Sequence, residues 1–374
     1  MWRRVSVKNF RSLKEVHVDL APFTVVVGPN GSGKSSLADV LVFGSEISRD
    51  AATAIQRRGG IVGLRRWSPS KPHDVSVEIR AAKTRKGLDG TSMRHQFTLH
   101  SGRGGSWSFS REQLDFGDLQ LGRDKNKFTG RPWFAEEPHQ IVGDDQSLLT
   151  TVRRFREARP LTSVKRVRPN PDLMRTPRIA DEVIELTEAG DNVAAAYMSL
   201  GDGKRDLVER TMAQIIPGLR RIAVVPFDRF LLLRFEQEQH GGHTATFSAT
   251  EMSDGALRAL AIMTALAQMT RDQLLVIEEP EVSVHAGAAN LLFDALKAAT
   301  EVGSVLVTTH SADLLDAAKD EEILVCRYAD GVTRVGPLAT EQRQIVRDGL
   351  FSLAELVRSE PLRIEGDEPT PVEL

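Results

Sequence analysis

The sequence predicts an α/β fold built on buried strands that end in polar residues, and three segments carry this prediction. Residues 23–27 are an apolar run that leads into a glycine-rich turn and then into a helical pattern. Residues 274–277 form a second apolar run, which ends in two glutamates. Residues 304–307 form a third, which ends in Thr-Thr-His. Because α/β proteins bind ligands beyond the carboxyl ends of their strands, these three ends define the candidate site.

The glycine-rich turn is the most informative of the three segments. Gly28-Pro-Asn-Gly-Ser-Gly-Lys-Ser-Ser36 fits the phosphate-loop pattern of Gly, four residues, Gly-Lys-Ser. Between a strand and a helix, such a turn points backbone N–H groups and the positive end of the helix dipole at a polyphosphate. The turn predicts binding of ATP or GTP with Mg²⁺ through Asn30, Gly31, Ser32, Gly33, Lys34, Ser35 and Ser36.

Two of these side chains have distinct predicted roles. Lys34 reaches the β- and γ-phosphates as a point charge, and the Ser35 hydroxyl binds the Mg²⁺ that bridges them. The alternative is a chance glycine turn. The preceding strand and the apolar residues Leu37, Val40 and Leu41 at helical spacing make that alternative the weaker one.

Length and composition bound the class of protein. At 374 residues the chain is longer than one average domain, so we expect a main body with a substantial insertion. No apolar run approaches the roughly 20 residues of a membrane span, and the start lacks the apolar core of a secretory signal. We therefore expect a cytoplasmic protein with no membrane partner. The single cysteine, Cys326, excludes an internal disulfide and predicts a buried small side chain.

The N-terminal region predicts strands beside the phosphate loop. Residues 73–80 and 94–100 alternate apolar and polar side chains, which is typical of antiparallel strands. From residue 116 to residue 200 the pattern loosens and prolines accumulate, which favours a lobe inserted into the nucleotide-binding body. Helices are expected at 179–187 and 192–200.

After the lobe, the pattern becomes regular again. Residues 204–215 predict an amphipathic helix. Residues 221–225 and 230–235 predict strands that return to the body. The acidic, proline-containing segment after residue 364 predicts a frayed tail.

Local charge is uneven although the net charge is only −2. Between residues 152 and 179 the cations are Arg153, Arg154, Arg156, Arg159, Lys165, Arg166, Arg168, Arg175 and Arg178, against Glu157 and Asp172. This basic cluster could neutralise the phosphates of DNA or RNA. A solvated basic face, or arginines that pair with acids elsewhere in the chain, remains open as the alternative, because Phe155 is the only aromatic residue that interrupts the run.

Residues 274–279, a predicted strand that ends in two glutamates and is called the acid strand below, predict the catalytic chemistry. Glu278 and Glu279 close residues 274–279, and a strand turns successive side chains to opposite faces. Glu278 is expected to hold Mg²⁺ through water, and Glu279 to activate the attacking water as general base. The alternative is a pair of solvated acids before the stop at Pro280.

Two further segments complete the predicted site. His310 at the end of the third strand would stand near the γ-phosphate and sense it by hydrogen bonding. Ser253 is a good N-cap for a helix, and Gly255 in its first turn leaves N–H groups open to an anion. A structural histidine and a capped core helix are the alternatives.

The chain resembles the ABC-type ATPases of the SMC and RecF branch. The resemblance rests on Asn9-Phe-Arg-Ser12, the phosphate loop, Met252-Ser-Asp-Gly-Ala-Leu-Arg258, Ile277-Glu-Glu-Pro-Glu281 and Thr308-Thr-His-Ser311, in that order. It is similar, more narrowly, to the stand-alone bacterial ATPases related to the ATPase half of OLD-family proteins. The implied fold is an ABC-type P-loop NTPase with a mixed N-terminal β-region and an inserted, mainly helical lobe.

The resemblance implies a dimer that no single motif predicts. In that family the signature helix of one subunit caps the γ-phosphate held by the other, so Ser253 and Gly255 would act across a homodimer that encloses two ATP molecules. Arg11 would join the nucleotide-binding residues, and hydrolysis by Glu279 with His310 would open the dimer. Glu278 departs from the usual Asp by one methylene but keeps the charge.

The resemblance also divides the chain. Residues 1–115 would form the N-terminal part of the ATPase domain, 116–215 the helical and basic lobe, 216–364 the C-terminal part with the signature helix, and 365–374 the frayed tail. An OLD nuclease would carry a Toprim metal site after the ATPase, and the roughly sixty residues beyond His310 are too few for one by ordinary domain sizes.

Three functions follow from this organisation. The first is an ATP-driven switch in DNA maintenance or in defence against phage and plasmids, working with a separately encoded effector. The second is the ATPase subunit of a membrane transporter, which the long separation of phosphate loop and signature helix disfavours. The third is a scaffold that hydrolyses ATP slowly, so that bound ATP locks the assembled complex.

Overall fold

The computed structural model describes residues 2–82, 92–125, 127–130, 142–155, 158–179, 184–312 and 314–367. The strands are β1 Trp2–Phe10, β2 Leu13–Asp19, β3 Phe23–Val27, β4 Val75–Ala82, β5 Ser92–Ser101, β6 Trp107–Phe116, β7 Leu119–Asp124, β8 Lys127–Thr129, β9 Val164–Val167, β10 Arg178–Ile179, β11 Leu219–Phe227, β12 Phe230–Glu238, β13 Thr244–Ser248, β14 Leu274–Glu278, β15 Ser304–Thr309, β16 Ile323–Ala329 and β17 Val332–Pro337. The predicted α/β class is confirmed.

The helices lie between these strands and after them. They are α1 Lys34–Glu46, α2 Ala51–Gln56, α3 Gly60–Leu64, α4 Leu149–Val152, α5 Arg159–Thr162, α6 Pro171–Arg175, α7 Val193–Met198, α8 Asp202–Ile215, α9 Asp254–Gln268, α10 Ala286–Ala298, α11 Thr340–Arg347 and α12 Leu353–Ser359. Among the described residues, no helix is both long enough and apolar enough to cross a membrane.

A 13-stranded sheet organises the chain in the order β8-β7-β6-β5-β4-β1-β2-β17-β16-β3-β15-β14-β9. Its β9 end is parallel, since β9, β14, β15, β3 and β16 all pair in parallel. Its other end is an antiparallel meander that runs from β2 through β1 to β8. The predicted strands at 73–80 and 94–100 are β4 and β5, and they pair antiparallel as expected.

The parallel strands are covered on both faces. Val25 and Val27 of β3 point into one apolar core, which α9 and α10 cover with residues such as Leu260 and Phe293. Val26 points into the other core, which is covered by α1. A strand buried on both faces reads as a continuous apolar run, which explains why β3, β14 and β15 could be found in the sequence.

Residues 116–215 carry helices α4 to α8 and also supply β7, β8 and β9 to the large sheet. The strands predicted to return to the body at 221–225 and 230–235 instead lie in a second sheet of β10, β12, β11 and β13. That sheet contacts α7 and α8. The domain boundaries at 116 and 215 stay a prediction.

The helix predicted at 179–187 is wrong within the described residues of that range, 179 and 184–187. Arg178 and Ile179 form the short strand β10, and 184–187 are not helical. Side chains replace the helical hydrogen bonds there, because Leu186 N–H donates to Gln268 Oε1 at 2.9 Å and Thr187 N–H to Asn192 Oδ1 at 2.8 Å. In the predicted frayed tail, residues 368–374 lie outside the described residues.

Candidate nucleotide site

The three strand ends meet at one edge of the sheet. In the parallel register Glu278 pairs with Thr308, and Thr308 pairs with Val26. The residues that follow β3, β14 and β15 are therefore neighbours, as the sequence predicted for the phosphate loop, the acids and His310. The site is built at the carboxyl edge of the parallel half of the sheet.

The phosphate loop needs its glycines. Gly33, which precedes α1, has a φ of 104°, a left-handed conformation that side chains rarely adopt. A Cβ there would lie 2.3 Å from Thr333 Oγ1, and a Cβ on Gly28 would lie 2.1 Å from the Cys326 carbonyl oxygen. Strand β16 and the residue at the start of β17 thus press against the loop, and only glycine lets them approach.

Polar contacts hold the loop from the side of the β1–β2 turn. Thr333 Oγ1 lies 2.9 Å from the Ser32 carbonyl oxygen and 2.8 Å from Ser12 Oγ. Ser12 Oγ lies 3.2 Å from Ser36 Oγ. Beneath the loop, the buried Cys326 Sγ lies 3.3 Å from the Ser32 carbonyl oxygen, and burial raises the pKa of its thiol. The predicted buried cysteine is thereby confirmed.

The structure brings the two predicted magnesium residues into contact. Ser35 Oγ donates to Glu278 Oε2 at 2.8 Å. Glu278 Oε1 is buried and has no hydrogen-bond partner among the described residues. Lys34 Nζ donates to the carbonyl oxygens of Gly28 and Pro29 at 2.8 and 3.1 Å. A hydroxyl beside a buried carboxylate oxygen without a partner fits a hard divalent cation such as Mg²⁺.

An ion-pair network lies behind this contact, and it is centred on Asp39 of α1, whose side chain is 1% exposed. Asp39 accepts from Arg58 through Nε at 3.0 Å and Nη2 at 2.8 Å. Arg11 Nη2 lies 2.9 Å from it, and Arg166 Nη1 lies 3.2 Å from it. The network ties the β1–β2 turn, α1 and β9 together one helical turn beyond Ser35.

Arg166 joins that network to the acid strand. Its Nε lies 2.6 Å from Glu188 Oε1 and its Nη1 lies 3.8 Å from Glu278 Oε1. Burial lowers the pKa of Arg166, but the pairs with Glu188, Asp39 and Glu278 outweigh burial and raise it. The guanidinium is therefore a fixed cation beside the buried oxygen of Glu278.

The predicted catalytic pair lies at the opening of the site. His310 Nδ1 is 3.7 Å from Glu279 Oε1, and the two side chains are 44% and 39% exposed. Both side chains are therefore open to solvent at the mouth of the site. Glu279 has a φ of 48°, and its N–H donates to the Thr308 carbonyl oxygen at 2.9 Å, which turns its side chain away from that of Glu278.

A third acid supports His310. Glu281 Oε1 accepts from Thr309 Oγ1 at 2.5 Å and lies 3.9 Å from His310 Nδ1. Its side chain is 11% exposed. Sequence reasoning quoted Glu281 within Glu-Glu-Pro-Glu but gave it no role. The only signal in the sequence was its place in that acidic segment, two residues after Glu279.

The predicted signature helix begins in a separate cavity. Ser253 caps α9 by accepting from the Ala256 N–H at 3.3 Å. A Cβ on Gly255 would lie 2.1 Å from the Ser283 carbonyl oxygen. The cavity of about 380 Å³ beside them is lined by Phe247, His285 and residues of 215–217, rather than by the phosphate loop. Within one chain, the two helix starts face different surroundings.

The basic cluster at 153–178 is only partly available for a ligand. Four of its side chains, Lys165, Arg166, Arg175 and Arg178, pair with Glu185, Glu188, Asp254 and Asp191. For them the alternative, arginines paired with acids of the same chain, is confirmed. Arg153, Arg154, Arg159 and Arg168 are exposed, and Arg156 lies outside the described residues.

This chain is similar to a protein family, to individual proteins and to solved structures. The family model described as "AAA domain, putative AbiEii toxin, Type IV TA system" matches residues 23–316. The Old nuclease of Escherichia phage P2 is 24% identical over 367 residues, which cover 87% of this chain and 59% of that protein.

Shorter stretches are more closely matched. The OLD nuclease of Thermus scotoductus is 49% identical over 37 residues, or 10% of this chain and 7% of that protein. The chromosome partition protein Smc of Methanocaldococcus jannaschii is 46% identical over 41 residues, or 11% of this chain and 4% of that protein. The chain thus spans less than two thirds of the length of each relative.

Solved structures of SMC heads share the fold. An SmcHead solved with the C-winged helix domain of ScpA superimposes with a TM-score of 0.61 at 16% identity, covering 91% of this chain and 99% of that one. The SMC head domain from Thermotoga maritima gives a TM-score of 0.50 at 14% identity, with the same coverage. The large mixed sheet and the strand-end site therefore form an ABC-type P-loop NTPase fold.

Proposed function

The chain belongs to the family of AAA domains described as putative AbiEii toxin, Type IV TA system, an SMC-like and OLD-like group of P-loop ATPases, and from this premise we propose that it is an ATP-driven dimerisation switch. The observation that carries the proposal is the contact between Ser35 Oγ and Glu278 Oε2, which joins the phosphate loop to the acid strand. That contact supports a site within one chain at which ATP and Mg²⁺ would bind.

The proposed chemistry is hydrolysis of ATP. Glu279 accepts a proton from water, the water oxygen attacks the γ-phosphorus, and the bond to the β–γ bridging oxygen breaks. Lys34 and the loop N–H groups hold the phosphates, and His310 hydrogen-bonds beside Glu279. Ser35 and Glu278 would hold Mg²⁺, which when bound supplies positive charge to the phosphate oxygens.

The proposed switch is a homodimer. The separate cavity at Ser253 and Gly255 supports it, because these residues would meet the phosphate loop only across a second copy. Two ATP molecules would then be enclosed between two chains, and their hydrolysis to ADP and phosphate would open the dimer. Arg11, which lies 2.9 Å from Asp39, would sense closure through the same network that reaches Glu278.

The test uses Glu279→Gln, which keeps the shape of the side chain and removes the base. We expect its turnover of ATP to fall by about 100-fold or more, the usual range for loss of a general base, while ATP binding persists. The variant should then accumulate as an ATP-dependent dimer in light scattering. Adding Ser253→Arg to the same variant should abolish the dimer and leave ATP binding intact.

The outcomes separate the proposal from its rivals. A wild-type rate near zero that Glu279→Gln does not change would favour the slow scaffold. An ATP-bound Glu279→Gln protein that stays monomeric at every concentration would contradict the switch. Turnover unaffected by Glu279→Gln would remove Glu279 from the reaction.

We propose a cellular role in DNA maintenance or in defence against phage and plasmids, with a separately encoded effector. The family description and the Old nuclease relative support this role. Phage challenge of cells carrying the wild-type gene region or its Lys34→Ala form tests it, since protection should require nucleotide binding. Any contact with duplex DNA within 153–178 would rest on the exposed Arg153, Arg154, Arg159 and Arg168, and charge reversal at Arg168 tests duplex binding.

A further inference from the structure

A basic surface lies at one end of the antiparallel half of the large sheet, far in sequence from residues 153–178. We call it the basic face and define it by Arg65, Arg66, Trp67, Lys71 and Arg103. The first four follow α3, and Arg103 lies in the turn between β5 and β6. The two segments meet because α3 packs beside that turn and because Asp74 Oδ1 accepts from the Ser101 N–H at 3.0 Å.

The charge of this face is one-sided. Residues 51–73 contain five cations and no aspartate or glutamate. Two of the cations, Arg57 and Arg58, pair with Glu46 and Asp39. The four cations of the basic face form no ion pair with an acid in the part of the chain that the structure describes, and the next acid along the chain, Asp74, lies 3.1 Å from His100 Nδ1.

Trp67 lies among these cations. Its side chain is 78% exposed, the highest fraction among the large exposed hydrophobic residues of the described chain. Trp107, near Arg103, is by contrast half-buried, with its ring 6.1 Å from that of Phe109. An aromatic ring left in water beside unpaired cations is the combination that stacks a base while the cations contact phosphates.

We propose that the basic face binds a single-stranded nucleic acid, with one base stacked on Trp67 and the flanking phosphates contacted by Arg66, Lys71 and Arg103. A duplex offers its phosphates to such a face but keeps its bases stacked, so it gives Trp67 no partner. The cluster at 153–178 lacks the exposed aromatic residue, since Phe155 is partly buried, and four of its cations are paired.

Two backbone hydrogen bonds join the basic face to the β1–β2 turn, which in turn contacts the phosphate loop. Arg66 N–H donates to the Asn9 carbonyl oxygen at 2.7 Å, and Arg11 N–H donates to the Leu64 carbonyl oxygen at 2.8 Å. The β1–β2 turn is therefore bonded to the segment of the basic face, and it also contacts Ser36 through Ser12. A nucleic-acid strand bound at Trp67 would lie next to the β1–β2 turn, which contacts the phosphate loop.

The test is fluorescence anisotropy with end-labelled oligonucleotides of about 20 residues, a length that covers typical single-strand sites, as single-stranded DNA, single-stranded RNA and duplex DNA. It is done without ATP, so it does not depend on the proposed hydrolysis. We expect Trp67→Ala to lower single-strand affinity about tenfold and Trp67→Phe to keep it within about threefold, since Phe still stacks. Arg66→Ala should reduce the salt slope by about 0.7, the value of one single-strand phosphate contact.

Matched variants make the result decisive. Arg168→Ala removes an exposed cation of the other basic region and should leave single-strand affinity unchanged. Three results would overturn the proposal: no binding of any single strand by the wild type, affinity of Trp67→Ala equal to wild type, or a loss that follows Arg168→Ala instead. A Trp67→Ala variant that binds oligonucleotide normally but no longer self-associates would assign the face to a second copy of the chain and equally overturn it. The DNA and RNA arms identify which single strand is bound.

Discussion

The starts of α1 and α9 have the same local chemistry and opposite surroundings. Both are helix N-termini with a glycine in or just before the first turn, and both were predicted to bind phosphate. The start of α1 is braced by Thr333, the Cys326 carbonyl and Glu278. The start of α9 opens on a cavity whose lining excludes the phosphate loop. Local sequence therefore identifies a phosphate-binding end, and only tertiary packing decides whether it is complete within one chain.

The largest expected effect separates the two ends by their contribution to binding. Lys34→Ala should weaken ATP binding by about 100-fold, because a charge-assisted contact to phosphate contributes up to about 3 kcal/mol. Isothermal titration calorimetry with ATP and Mg²⁺ measures it. Lys14→Ala, an exposed lysine of β2, is the control. Near-normal binding by Lys34→Ala would place the nucleotide elsewhere and break the comparison.

The second effect tests how deeply the α1 end is braced. Arg166→Met should lower the free energy of unfolding by about 2 kcal/mol, because Asp39 and Glu188 each lose one charged hydrogen-bond partner while Asp39 keeps Arg58 and Arg11. Urea denaturation measures this change. Arg168→Met, two residues along the same segment and exposed, should stay within about 0.5 kcal/mol of wild type. Equal stability of the two variants would show that the network does not support α1.

The third effect tests the packing of the α9 end. Gly255→Ala places a methyl group against the Ser283 carbonyl oxygen and should cost about 1–3 kcal/mol, the usual range for overpacking. The melting temperature should fall accordingly in scanning calorimetry. Gly203→Ala in α8 meets open space and should be neutral or slightly stabilising. If the two alanines behave alike, the close approach to Ser283 is not a constraint.

The smallest effect concerns the cap of α9. Ser253→Ala should lower the free energy of unfolding by about 1 kcal/mol, the usual value of an N-cap, and leave ATP binding by the monomer unchanged. Ser352→Ala removes the equivalent cap of α12 and should cost about the same. ATP turnover at high protein concentration should then fall only for Ser253→Ala. An equal fall for both variants would reduce Ser253 to a structural cap.

The parts predicted from the sequence are those that depend on neighbouring residues. The strand–turn–helix at Gly28, the acids after β14 and the histidine after β15 are local patterns, and buried parallel strands are readable as apolar runs. The Asp39 network was not predictable, because Arg166 lies 127 residues from Asp39 along the chain. Thr333, which limits Gly33, lies 301 residues from Ser32.

The wrong helix prediction has the same origin. The helix expected at 179–187 gave way to hydrogen bonds that backbone N–H groups donate to the side chains of Gln268 and Asn192, which no local pattern relates to that segment. The count of cations in 153–178 could not reveal that their acids come from other elements. The number of cations in a segment predicts the charge of a surface only when the ion pairs that those cations form are known.

The place of β3 in the sheet has a consequence for synthesis of the protein. β3 pairs with β15 and β16, whose first residues are Ser304 and Ile323. The antiparallel strands β1, β2, β4 and β5 pair within the first 101 residues, so they can form while the ribosome is still translating. β3, the strand before the phosphate loop, does not have both of its neighbours until β16 has left the ribosome exit tunnel. We therefore expect nucleotide binding only after β15 and β16 have joined β3 in the sheet.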